Sequence, residues 1–200
     1  MFWHTKKPEY EIVVPPLSKP FKQLSKTEAQ AFFDWHMSKL EERIDYLRTH
    51  TKLNLDYSPK SLVPLWKWFL KRAEIEDTPQ ARLQTLEQKL TQASSPFTET
   101  VLRENARQLS FETECIIRDI AMYLGEMFVK SHPSVYWGFY TTPKTDIFVN
   151  HPLLLGFPNS TFPERSGVPF EPVHMARVKA LRLLDGTAAG DDLLLQPLLK

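Results

Sequence analysis

The feature that most constrains the fold is the apolar pattern within one stretch of the chain, Thr98–Tyr140. Its large apolar residues recur at the three- and four-residue intervals that place side chains on one helix face, at Leu109, Ile116, Ile117, Ile120, Leu124, Met127 and Phe128. Pro133 has no N–H to donate and restricts the residue before it to extended geometry, so a helix must end there. The stretch therefore predicts a central helix over residues 98–131, the longest of the protein, with its apolar face in the core.

The segment after this helix predicts a β-hairpin. Val135–Tyr140 and Asp146–Val149 are rich in the aromatic and β-branched residues that strands favour. Gly125 interrupts the central helix, where a glycine costs roughly 1 kcal/mol relative to alanine, and we interpret it as a point where another backbone approaches closely. Because the hairpin follows the helix so soon, we expect the Glu126 carboxylate to contact a hairpin residue, with Lys144 as the first candidate.

Helix-start signals predict the remaining helices. Ser25 and Glu28 have the spacing of a capping box. The dipeptides at 58–59 and 78–79 each place a capping serine or threonine before a proline at the first helical position. The predicted helices cover residues 26–48, 60–75, 80–92 and 173–184. On the first of them, Glu41, Glu42, Arg43 and Asp45 are predicted to face solvent. The third has only a thin leucine stripe, which predicts a position at the edge of the fold.

Together with a short strand predicted at Tyr10–Val14, these elements indicate an α+β fold that is mostly helical. Helices pack around the long central helix, beside a small antiparallel sheet or hairpin. The length suits a single domain over residues 1–186, which begins with an extended segment, residues 1–20. Residues 187–200 form a tail with five leucines, which we expect to dock on the domain or on a second copy, giving a homodimer.

Composition excludes several classes of function. Hydrophobic residues make up 42% and charged residues 24% of the chain, which is ordinary for a globular domain. The net charge is +1 without a basic stripe, so a nucleic-acid partner is not predicted. No apolar run approaches the length of a signal sequence core or a membrane span, so no membrane association is predicted. Cys115 is the only cysteine, which excludes an intrachain disulfide and favours a reducing, cytoplasmic location.

Sequence motifs predict no catalytic residue, no cofactor and no metal site. The six histidines show no HExxH spacing, and the glycine-rich loops that bind nucleotide phosphates are absent. A metal site assembled from distant residues stays open. Cys115 beside a histidine could act as a nucleophile, but its position in a helix next to two isoleucines favours a buried, inert thiol.

One polar stripe on the central helix is the candidate binding site. Glu112, Asp119, Tyr123 and Glu126 share one helix face at spacings of seven, four and three, and Arg118 borders them. Such a stripe can be an acid–base pair, a cation site or a docking surface for a basic partner. It can also be a solvated helix face, with Glu126 paired to Lys130 at i, i+4.

Aromatic residues add a further candidate. Trp137 is included in the binding site because aromatic side chains with a polar atom are enriched at interfaces and in ligand pockets. The same is true of Trp66, Trp68, Tyr136 and Tyr140, although packing in the core explains such residues equally well.

Several short segments, taken together, carry a resemblance. They are residues 55–62 (LDYSPKSL), 65–69 (LWKWF) and 123–126 (YLGE), followed by Trp137, Pro152, 156–157 and 170–172. Over roughly residues 53–184 the combination resembles a loosely defined group of uncharacterised bacterial proteins, some with the layout of immunity or toxin-neutralising domains. The resemblance implies a bacterial cytoplasmic protein and carries over no catalytic residue.

Two functional hypotheses follow from the sequence. The first is a non-enzymatic protein-binding module, with an immunity or regulatory role and a protein partner. The alternative is a small-molecule-binding protein or hydrolytic enzyme that uses the stripe of Glu112, Asp119, Tyr123 and Glu126.

Overall fold

Six α-helices and two small antiparallel sheets make up the described part of the chain, which a computed structural model gives for residues 9–93, 95–158, 167–184 and 186. The helices are α1 (Lys26–Thr51), α2 (Leu62–Arg72), α3 (Gln80–Gln92), α4 (Thr98–Glu104), α5 (Phe111–Ser131) and α6 (Pro172–Leu181). The strands are β1 (Ile75–Asp77), β2 (Arg107–Leu109), β3 (Tyr136–Gly138) and β4 (Leu153–Leu155). Strand β1 pairs with β2, and β3 pairs with β4. The predicted, mostly helical α+β fold is confirmed.

Helix α5 lies at the centre of the fold and contacts α1, α2, α6 and β3. Its middle two turns are buried on all sides, including Ile116, Ile120 and Leu124, which have no exposed surface. A helix that is apolar all round is buried, whereas an edge helix carries a single apolar stripe. Helix α3 has no buried residue, as its thin leucine stripe predicted.

The predicted single helix over 98–131 is wrong, because the chain is extended at Arg107–Leu109 and pairs there with β1. The register places Leu109 opposite Ile75. A new helix then begins at Ser110, whose hydroxyl accepts a hydrogen bond from the Thr113 backbone N–H at 3.2 Å. Serine stabilises a helix start better than a helix interior, so Ser110 favours the break. The longest helix is therefore α1, with 26 residues against 21 in α5.

The strand predicted at Tyr10–Val14 is not formed. The backbone of Glu11 bonds to side chains of α1 and not to another strand. Its N–H donates to the Tyr46 hydroxyl at 2.6 Å. The Glu11 carbonyl accepts from the Arg43 guanidinium at 2.8 Å. The segment thus has no regular secondary structure and is held by a helix.

The predicted hairpin is also wrong in its second strand. Residues Asp146–Val149 form turns, in which the Asp146 carboxylate accepts from the Phe148 N–H at 2.7 Å. This local side-chain bond offers the backbone an alternative to strand pairing. Strand β3 pairs instead with β4, with Trp137 opposite Leu154.

Helix α1 shows both a confirmed and a failed prediction. Its capping box is present, with the Ser25 N–H donating to the Glu28 carboxylate at 2.7 Å and the Ser25 hydroxyl accepting in return at 3.2 Å. Arg43, however, was predicted to face solvent and is buried. The interior holds a partner for its charge, the Asp119 carboxylate, which the local sequence pattern does not reveal.

Position 125 requires glycine because a side chain, and not another backbone, packs closely against it. A Cβ atom at this position would lie 2.1 Å from Cζ2 of Trp137. The indole ring of β3 therefore packs directly on the α5 backbone. Helix α2 is shorter than predicted because β1 takes up its last residues, and α6 matches its prediction closely.

Within the described residues, no helix combines the length and the hydropathy needed to cross a membrane. The predicted docking tail, residues 187–200, lies outside the described residues. The division of the chain into a 1–186 domain and this tail stays a prediction.

We predict that Ile120→Ala destabilises the fold by about 2–5 kcal/mol, because the deletion leaves a cavity in the fully buried face of α5. Chemical denaturation followed by circular dichroism measures this free energy. The matched control is Ile147→Ala, since Ile147 is 63% exposed and its truncation should change stability by less than about 0.5 kcal/mol. Equal losses for the two variants would contradict the central position of α5.

Candidate functional site

The Asp119 carboxylate lies at the point where α5, α1 and the N-terminal segment meet. It has no exposed surface, and its Oδ2 accepts from the Arg43 Nη2 and Nε atoms at 2.7 and 3.1 Å. The Tyr10 hydroxyl donates to the same oxygen at 2.8 Å. Burial and the neighbouring Asp119 carboxylate raise the pKa of Tyr10 well above its usual range, so Tyr10 is a stable donor. We call this set, Asp119, Arg43 and Tyr10, the Asp119 network.

The other residues of the predicted stripe each contact a different element. Glu112 accepts from Arg72 of α2 at 2.7 Å, and the Tyr123 hydroxyl accepts from the Tyr57 N–H at 2.8 Å. Glu126 accepts from the indole N–H of Trp137 at 2.9 Å, and it also lies 3.9 Å from Lys130. The stripe is therefore the packed face of α5 and not a solvated one.

The contact predicted between Glu126 and a residue after α5 exists, but its partner is Trp137. The first candidate, Lys144, donates instead to the Leu24 carbonyl at 3.2 Å. Trp137 thus joins α5 to β3 through one hydrogen bond and through its packing on Gly125. Its ring centroid also lies 5.1 Å from that of His36.

A second feature beside α5 is a partly open cavity of about 300 Å³. Its walls come from the N-terminal segment, α1, α5, α6 and the residues before β4. Most of its lining is apolar, from Leu17, Phe21, Phe32, Phe111, Pro152 and Val173. None of the four stripe residues lines it. Arg118, the neighbour of Asp119 in the sequence of α5, does line it. We call this space the Arg118 cavity.

Two deeply buried polar side chains line the Arg118 cavity with unpaired atoms. Arg118 is 7% exposed, and its Nε has no hydrogen-bond partner among the described residues. Its nearest carboxylate contact is long, 3.5 Å from Nη2 to the Oδ1 atom of Asp119. His36 is 2% exposed, and its Nε2 likewise lacks a partner within the described part of the chain. Buried polar atoms are normally hydrogen-bonded, so these two side chains are the candidates in the cavity for orienting a bound molecule.

The His36 imidazole is neutral at physiological pH. Burial, and secondarily the positive charge of Arg118, lower its pKa from 6.5 to about 4. The cavity wall therefore combines the permanent charge of Arg118 with the neutral imidazole of His36, in addition to Arg177 and two further histidines. Groups with shifted pKa values in a cleft are characteristic of functional sites.

The remaining polar residues around the cavity have partners. Glu114 accepts from Arg177 Nε at 2.8 Å, and Glu171 lies 3.5 Å from the His151 Nδ1 atom. Burial raises the pKa of the Cys115 thiol, so the thiolate needed for nucleophilic attack is disfavoured. Among the described residues, no group of three or more His, Cys, Asp or Glu side chains is placed to hold a metal ion.

The sequence indicated Asp119 and its neighbour Arg118 as polar residues of interest, but it did not indicate His36 and Arg43. His36 was overlooked on a helix that also carries apolar residues, and Arg43 was assigned to solvent. A basic and a histidine side chain on the apolar face of a helix is a usable signal for a buried polar site, since such residues are seldom fully buried without cause. No known protein family, curated protein or solved structure matches this chain.

We predict that Asp119→Asn lowers the free energy of unfolding by about 3–5 kcal/mol, because it leaves the buried Arg43 and Arg118 guanidiniums without a counter-charge. Urea denaturation at neutral pH measures the change. The control is Glu42→Gln, whose exposed pair with Lys39 should contribute little to stability, because solvent screens surface ion pairs. A loss for Asp119→Asn as small as that of the control would contradict the structural role of the network.

We predict that stability falls as the pH drops from 6.5 towards 4, because His36 is held neutral in the folded state and protonates first in the unfolded state. Between pH 7.5 and 5 the His36 contribution to this loss should be about 2 kcal/mol. Denaturation at both pH values should therefore give a smaller difference for His36→Gln than for the unchanged protein. The exposed His132→Gln serves as the control, and an equal pH dependence of all three proteins would contradict the prediction.

Proposed function

We propose that this protein is a non-enzymatic binding protein whose ligand is a small, largely apolar molecule held in the Arg118 cavity. The observation that carries the proposal is that two deeply buried polar side chains, Arg118 and His36, line a largely apolar cavity, and each has a nitrogen without a hydrogen-bond partner among the described residues. Ligand pockets commonly combine an apolar lining with a few polar groups that orient the ligand.

Hydrolysis by the acidic stripe has less support. An acid–base pair needs carboxylates that reach a common substrate. The carboxylates of Glu112, Asp119 and Glu126 are each engaged by a side chain of another element. Their contacts support a role in holding the helices together around α5.

Our second proposal is that the protein is a protein-binding module with an immunity or regulatory role. Its bacterial origin and cytoplasmic location are likewise proposals. The large apolar side chains that are exposed to solvent add little to the protein-binding proposal, because such residues scattered singly over a surface are normal. They lie on separate elements of the described chain, at Ile12, Val14, Phe97, Phe111, Tyr136, Ile147, Val168 and Val178.

The proposal predicts that octanol, a neutral probe of suitable size, binds saturably in the Arg118 cavity. Titration followed by ¹H–¹⁵N correlation spectra should shift resonances of residues around the cavity. Val173→Phe fills the cavity from α6 and should abolish these shifts, whereas Val178→Phe, on the same helix but 44% exposed, should leave them unchanged. Equal binding by both variants, or no binding of either octanol or octanoate, would contradict the proposed function.

A further inference from the structure

We propose that the Arg118 cavity selects ligands with a single carboxylate group, and that the Arg118 guanidinium binds this carboxylate. The inference rests on the proposed function, because it names the class of ligand for the same cavity. Its basis is an imbalance of charge among buried side chains.

Two buried guanidiniums share one buried carboxylate at the centre of the protein. Arg43 takes the favourable geometry, with two nitrogens within 3.1 Å of Asp119 Oδ2. Arg118 is left with one contact of 3.5 Å to Oδ1. Since charge-assisted hydrogen bonds are normally shorter than 3 Å, the pair between Arg118 and Asp119 is weak. Within the described part of the chain, one positive charge therefore has no close compensation.

The other acidic residues of the cavity do not supply this compensation. The Glu114 carboxylate is held by Arg177, with Nε at 2.8 and 3.1 Å from its two oxygens. Glu171 is held by His151 and by the His174 backbone N–H at the start of α6. The Arg118 guanidinium also lies over the Trp35 ring, with its carbon atom 5.7 Å from the ring centroid. This contact favours a cation but cannot accept a hydrogen bond from Nε in the plane of the guanidinium.

The surroundings favour one negative charge over two. A single guanidinium forms two parallel hydrogen bonds with a carboxylate, a match of geometry as well as charge. Glu114 and Glu171 on the same cavity would repel the second charge of a phosphate dianion, and the other arginine of the cavity, Arg177, is already engaged by Glu114. The neutral His36 imidazole can complete the site as a hydrogen-bonding group without adding charge.

The size and lining of the cavity define the rest of the ligand. About 300 Å³ corresponds to the volume of roughly ten water molecules in the liquid, and thus to a ligand of about 10–15 non-hydrogen atoms. The aromatic and aliphatic walls require that most of these atoms be apolar. A medium-chain alkanoate or an aryl-substituted alkanoate fits these conditions.

The test compares octanoate, octanol and octyl phosphate, which share one apolar chain and differ in charge. Isothermal titration of the full-length protein at pH 7.5 should give a Kd for octanoate at least tenfold below those of the other two probes. Arg118→Met should reduce octanoate affinity to that of octanol, while the exposed control Arg82→Met should keep the original preference. Circular dichroism of both variants confirms that each is folded.

A second measurement needs no variant, in case Arg118→Met does not fold. The Nε–H resonance of Arg118 should shift on addition of octanoate and stay unchanged with octanol. Three results would each overturn the carboxylate assignment and leave the cavity a binding site. They are equal affinity for octanoate and octanol, tighter binding of octyl phosphate, and an Arg118 resonance that does not shift with octanoate. Absence of binding by all three probes would instead overturn the proposed function itself.

Discussion

The Asp119 network is the interaction on which the rest of the structure depends. It joins α5, α1 and the N-terminal segment at one fully buried oxygen atom, which accepts hydrogen bonds from Arg43 and Tyr10. Such a network gives little net stability over apolar packing, but removal of one member leaves the others as buried, unpaired charge. It therefore acts mainly to specify the arrangement, because alternative packings of α1 against α5 would lack these bonds.

The same network helps to hold one wall of the cavity in place. Residues near Tyr10 do not pair in a sheet, so their position depends on the Tyr10 hydroxyl and on the Glu11 backbone contacts with α1. The chain continues from this anchor to Leu17 and Phe21, which form one wall of the Arg118 cavity. Asn150 ties the end of this segment to the region before β4, through the Phe21 and Leu24 carbonyls. The candidate site is thus built on contacts between segments far apart in sequence.

Local signals in the sequence were sufficient for most helices and insufficient for the site. The capping box at Ser25 and the apolar face from Ile116 onward are determined by neighbours within a few residues, and both predictions were confirmed. The break at Ser110 was missed because the strand that Arg107–Leu109 joins lies some thirty residues earlier, although Ser110 itself is a helix-start signal. Arg43 was missed for a stronger reason, since its partner Asp119 is 76 positions away. Periodicity assigns a charged residue to solvent unless a distant partner is known.

Arg118 has only a weak ion-pair partner, which bears on whether the cavity is a by-product of packing. A buried guanidinium with a weak partner costs stability, and replacement of such groups by apolar residues is often neutral or stabilising. A residue that serves packing alone would gain nothing from its charge at this position. A ligand that binds only the folded state and supplies the missing carboxylate would offset that cost in proportion to the logarithm of its concentration over Kd. The same side chain that weakens the empty protein would then become its strongest contact with the ligand, which is the relation expected of a binding site and not of a core.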